Sequence, residues 1–125
     1  MKKWDAMNYP DKKIDIHERT FDFAVKIVGF CRTLDNIPTN WVLSKQLAKS
    51  GTSIGANIEE AQGGQSKPDF ITKISIALKE SRETNYWLRV IKESKASNGD
   101  ELSYLIQESS ELMKILAAII IKSRS

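Results

Sequence analysis

"SGTSIGANIEEAQGG", residues 50–64, holds four of the six glycines in this chain of 125 residues, and what they do decides the fold. Glycines clustered in this way cradle a phosphate, break the chain, or let two helices touch. A phosphate loop places its glycines after a strand and ahead of a Lys-Ser or Lys-Thr pair that opens a helix. No strand pattern precedes this stretch, neither Gly51 nor Gly55 leads into such a pair, and Ser66-Lys67 comes too late and in reversed order. Both glycines fall instead inside a helical period marked by Leu43, Leu47, Ile54, Ile58 and Ala61. A glycine within a helix costs about 1 kcal/mol relative to alanine, and close approach of a neighbour is the usual compensation. Gly51 lies in line with Leu47, Ile54 and Ile58, which predicts a facing Phe or Trp in the space it leaves. Gly63 and Gly64 end the helix and open the next turn.

Three more helices follow from the same periodicity, and nothing alternates as a strand does. The first covers residues 15–36, the second begins near Thr39 just after Pro38, and both carry apolar stripes. The third is introduced by "SKPD", residues 66–69: Ser66 caps, Pro68 sits in the permissive first turn, and Asp69 complements the positive helix end. Phe70, Ile74, Ala77, Ser81, Thr84, Leu88 and Ile91 form its seam, apolar at both ends and small or polar in the middle. It stops before "SNGD", residues 97–100, where Asn98-Gly99 supplies a turn and Asp100 the next N-cap. Leu102, Leu105, Ser109, Leu112, Leu116 and Ile119 complete a fourth helix to about residue 122. Four helices with short connections predict an all-α fold, an antiparallel up-down-up-down four-helix bundle. Residues 1–12 read as a flexible tail and residues 13–125 as one bundle domain.

Composition is that of an ordinary globular domain, with 41% apolar and 28% charged residues and a formal charge of +3. The mild basic excess permits a polyanionic partner without demanding one. The single cysteine, Cys31, lies among apolar residues and reads as a buried, inert thiol. No signal peptide is visible at the start, and the most apolar run, "LMKILAAIII" at 112–121, is short and interrupted by Lys114. A cytoplasmic protein without membrane contact is expected.

Enzymatic constellations are poorly supplied. A di-metal bundle needs Glu-x-x-His on two helices, whereas the one histidine, His17, has no glutamate three residues before it. One Cys and one His do not enclose a zinc ion. A hydrolase built on His17 is the weakest class: His17 and Cys31 lie nearly four turns apart on one helix. No catalytic residues, metal, cofactor or small-molecule substrate are expected.

Two features exceed the needs of a lone bundle. The first helix is apolar over two adjoining stripes, Phe21, Val25, Val28 and Cys31 beside Phe23, Ile27, Phe30 and Leu34, and the fourth adds Ile115, Ile120 and Ile121 outside its seam. Self-association explains such a surplus, and we assign the subunit contact on the first helix to Phe23, Ile27 and Phe30. The second helix carries a polar stripe, Gln46, Ser50, Ser53, Asn57 and Glu60, whose readings are a solvent strip, a subunit contact or an RNA face. Of these, Ser53, Asn57 and Glu60 join the expected interface.

A basic line runs along the third helix: Lys79, Arg82, Tyr86, Arg89 and Lys92, with Lys49 of the second helix added to it. Cations reach phosphates and a tyrosine among them stacks on an unpaired base. Interleaved Glu80, Glu83 and Glu93 equally suit a solvated face with intrahelical pairing. Repetition around a ring would multiply a weak patch.

The blocks "TSIGANIEEA" and "KISIALKESRETNYWL", within a similarity reaching from about Phe21 to Ile120, resemble the 23S rRNA-intervening-sequence protein family. The resemblance implies a bundle assembled as a ring-like homopentamer. It also implies nucleic-acid association, since basic pentameric relatives accompany diversity-generating retroelements. The family name describes where some members are encoded, and no agreed catalytic residues come with it. Together these readings predict a bacterial, cytoplasmic, non-enzymatic homopentamer that binds RNA through basic helix faces. The alternative is a protein-interaction or scaffolding ring whose charges serve only solubility.

Overall fold

The computed structural model describes residues 15–63 and 66–125. The expected tail, residues 1–12, and its boundary with the bundle lie outside these. Asp15 caps α1 (Ile16–Leu34) by accepting from the backbone N–H of His17 at 2.9 Å and of Glu18 at 3.3 Å. A 3-10 turn, Pro38–Asn40, leads into α2 (Trp41–Gln62), so Pro38 is followed by tight turn geometry before the regular helix begins. Ser66 caps α3 (Lys67–Glu93) through a 3.2 Å bond from the Asp69 N–H, as "SKPD" predicts. The last helix, α4 (Asp100–Arg124), starts one residue earlier than expected. Gly99 is its N-cap, at φ 105°, a conformation that favours glycine, and Asp100 is already helical. No helix among the described residues is long and apolar enough to cross a membrane.

The four helices form the predicted antiparallel bundle, with α1 on α2, α2 on α3 and α3 on α4, while the α1–α4 seam is the lightest. Its core is built from one stripe per helix. On α3 and α4 every seam residue read from the sequence is buried, from Phe70 to Ile91 and from Leu102 to Ile119. The polar middle is real: the Ser50 and Thr84 hydroxyls share a hydrogen bond at 3.0 Å between α2 and α3. Asn85 Nδ2 donates to Ser109 Oγ at 2.9 Å between α3 and α4.

The glycines act as contact points. A Cβ on Gly51 would lie 2.8 Å from Ile27 Cγ2, and one on Gly55 would lie 3.2 Å from the Thr20 carbonyl oxygen. Spaced by four residues, the two open one face of α2 so that α1 seats directly upon it. The facing residue at Gly51 is thus Ile27 and not the Phe or Trp expected. The β-branched side chain fills the gap without needing an aromatic ring. Gly63 is the C-cap of α2, its N–H bonded to the Glu60 carbonyl at 3.1 Å, and Gly64 lies outside the described residues.

The two apolar stripes of α1 separate cleanly, and the outcome corrects one expectation. Phe23, Ile27 and Phe30 are at most 2% exposed within a single chain, so they have no surface to offer another subunit. The surplus stripe is the other one: Phe21 is 71% exposed and Val25 is 55% exposed, with Val28 beside them. On α4, Ile120 is buried and Ile115 packs at the core margin, which leaves Ile121 as the exposed surplus there.

Candidate nucleic-acid interface

The helical period of α3 that buries Phe70 through Ile91 turns the positions between them outward. Lys79, Arg82, Tyr86, Arg89 and Lys92 are all exposed. None of the four cations makes an ion pair with a carboxylate among the described residues. Arg89 is held in place: its Nε donates to Asn85 Oδ1 at 2.9 Å, and its guanidinium carbon lies 5.9 Å from the Tyr86 ring centroid. Tyr86 meets Trp87 edge-on at 5.0 Å and leaves about half its own surface open. Trp87 and the Arg89 guanidinium both neighbour the Tyr86 ring and restrict it, and a restricted exposed ring suits stacking.

The glutamates divide. Glu83 and Glu93 are exposed, whereas Glu80 is half-buried and its carboxyl is pushed above the ordinary range. Burial is the main cause and the neighbouring Glu83 charge adds to it, while Lys79 and Lys49 pull the other way. That last influence places Lys49 of α2 in reach of the Glu80 carboxyl, beside the start of the basic line. Lys49 thus sits at the α2–α3 boundary near Glu80.

The polar stripe of α2 does not act as one unit. Ser50 is in the core with Thr84. Ser53 Oγ donates to the Lys49 carbonyl at 2.6 Å, and Asn57 Nδ2 donates to the Ser53 carbonyl at 2.8 Å. Glu60 is exposed and pairs with Lys73 of α3 at 3.0 Å. These groups are engaged within their own chain.

His17, expected at the surface, is half-buried, with Nδ1 3.8 Å from Asp15 Oδ1; its Nε2 is shielded and has no hydrogen-bond partner among the described residues. Cys31 is buried, its Sγ donating to the Ser44 carbonyl at 3.5 Å, and burial pushes the thiol up. A protonated, enclosed thiol is a poor nucleophile. Among the described residues no three His, Cys, Asp or Glu side chains gather where a metal ion could be held.

The model of the 23S rRNA-intervening sequence proteins matches residues 12–118. The chain belongs to that family. The chain is similar to a crystal structure at 1.70 Å of a protein of unknown function from the S23 ribosomal protein family of Bacteroides thetaiotaomicron VPI-5482. That protein is 42% identical, covers 85% of this chain and 98% of its own, and superimposes with a TM-score of 0.80. No curated protein matches the chain. Within a 23S rRNA-intervening sequence protein, the glycines at 51 and 55 belong to the α1–α2 contact and the cations of α3 to its outer face. The first of these builds the fold, and the second lies exposed on the surface of a single chain.

Proposed function

We propose that this chain is a non-enzymatic, self-associating bundle, a cytoplasmic homopentamer that holds RNA on the cationic faces of its α3 helices. The observation that carries the reading is the exposed line of Lys79, Arg82, Arg89 and Lys92, which form no carboxylate ion pair among the described residues, with Tyr86 open among them. Unpaired cations on one face displace counterions from phosphates, which gives affinity that is weakly specific and steeply salt-dependent. Ring assembly would present the same line several times, so that modest single-site affinity adds up. Exposed Phe21 and Val25 on α1 support the self-association, and the family resemblance supports the pentamer. The absence of chemistry is supported by the enclosed Cys31 and by a single histidine in the chain.

The test is fluorescence anisotropy of a labelled RNA across a salt series, with native mass measured on the same sample. We expect binding at low salt whose log affinity falls linearly with log salt, by roughly 0.7 per phosphate engaged for a single strand. Arg82→Glu with Arg89→Glu should remove that binding and leave the native mass unchanged. Phe21→Lys with Val25→Lys should reduce the native mass to that of one chain. Absence of binding by the parent protein at low salt would sink the RNA reading in favour of a protein-interaction ring.

A further inference from the structure

At the loop end they share, α1 and α2 leave a cleft of about 310 Å³. Its floor is made by Val28, Cys31, Ser44 and Ala48, and its rim by Arg32, Asp35, Trp41 and Lys45. Trp41 is the decisive residue. The residue is 58% exposed, yet its indole Nε1 donates to the Asp35 carbonyl at 3.1 Å, so the ring is held while the residue stays largely open. Arg32 and Lys45 are exposed beside it and make no ion pair among the described residues.

A core aromatic would be covered, and a solvent-facing one would be free to rotate. Trp41 is neither: it is a pinned ring flanked by two free cations over a cleft with an apolar floor. We infer that this cleft binds an unpaired base of single-stranded RNA, with the base stacked on Trp41 and the flanking phosphates met by Arg32 and Lys45. Stacking on an aromatic ring beside cations is the general chemistry of single-strand binding. The up-and-down order adds a second argument, because it brings the end of α1, the start of α2 and the end of α3 to one end of the bundle. Arg89 and Lys92 lie toward that same end of α3, so both cationic groups belong to one end of the bundle. The single carboxylate on the rim, Asp35, disfavours a phosphate at its own position and leaves it to the base edge.

This inference deepens the RNA reading and rests on it. The experiment compares a labelled single-stranded oligoribonucleotide with the same RNA annealed to its complement, using the full chain at low salt. Trp41→Ala should weaken single-strand binding roughly 10-fold and leave duplex binding unchanged. Trp41→Phe should restore most of the loss, and Arg32→Glu with Lys45→Glu should weaken binding and flatten its salt dependence. GMP added alone should shift the Trp41 indole N–H resonance in the parent and in the Arg82→Glu, Arg89→Glu variant alike, which reports on the cleft independently of α3. If Trp41→Ala binds the single strand as the parent does, the cleft is not a site, even where the α3 charge reversal abolishes binding. If Trp41→Ala lowers the native mass, the ring belongs to a contact with a second copy and the inference is overturned. If the parent binds no RNA and GMP leaves the indole unmoved, both readings fall.

Discussion

Arg19→Ala is expected to lose about 3 kcal/mol of folding stability, a large effect for one partly exposed side chain. Arg19 lies on α1 and reaches Glu108 on α4 with a bidentate grip, Nε to Oε2 at 2.7 Å and Nη2 to Oε1 at 2.8 Å. The Glu108 side chain is only 10% exposed, against 31% for Arg19. Deleting the arginine therefore leaves a carboxylate enclosed without its partner, and that desolvation is the main part of the loss. The bond to Glu108 is also the chief reason the Arg19 guanidinium holds its proton still more tightly than usual. Elsewhere on this seam the structure offers Lys26, 3.3 Å from the Tyr104 hydroxyl and 4.7 Å over its ring, and both groups are exposed. Replacing Arg19 and Glu108 together by leucine should recover most of the stability, since neither charge is then buried alone. Urea unfolding gives the values, and a loss below about 0.5 kcal/mol for Arg19→Ala would show the pair to behave as an ordinary surface bridge.

Gly51→Ala should destabilise by about 1–3 kcal/mol, although the same change in an exposed helix would gain about 1 kcal/mol. The new methyl would sit 2.8 Å from Ile27 Cγ2 and 3.0 Å from Cγ1. Both atoms belong to a fully buried, β-branched side chain that has nowhere to turn. Overpacking wins over propensity at this position, and Gly51→Val should be worse. Ile27→Ala alone costs about 2–5 kcal/mol by opening a cavity. The double variant Gly51→Ala, Ile27→Ala should cost less than the sum by about 1 kcal/mol or more, because the added methyl occupies part of the space vacated. Strict additivity in thermal or urea unfolding would mean that α1 can shift away from α2, contrary to the close seating described.

Helices α3 and α4 were legible residue by residue because each has one apolar seam and no rival. Helix α1 was not, since two stripes of similar hydrophobicity adjoin. The discriminating signal was length: Ile16, Thr20, Phe23, Ile27, Phe30 and Leu34 continue the three-and-four spacing along the whole helix, whereas the line of Phe21, Val25 and Val28 ends at Arg32. Thr20 disguised the longer stripe, because its hydroxyl satisfies itself on the Ile16 carbonyl at 2.7 Å and so sits in the core without penalty. The exposed basic line of α3 was readable from its period. The Trp41 cleft was not, because its members come from two helices and a loop, and no spacing on one helix announces them.

Asn85 joins the interior to the surface. It is 7% exposed and tied to Ser109, and its other amide atom holds Arg89, a member of the outer line. A free arginine loses considerable side-chain freedom when it grips an anion. Folding has already removed part of that freedom at Arg89. A hydrophobic replacement deep in the bundle, Asn85→Leu, would thus loosen a surface cation it does not replace, raising the entropic cost of any anion captured there.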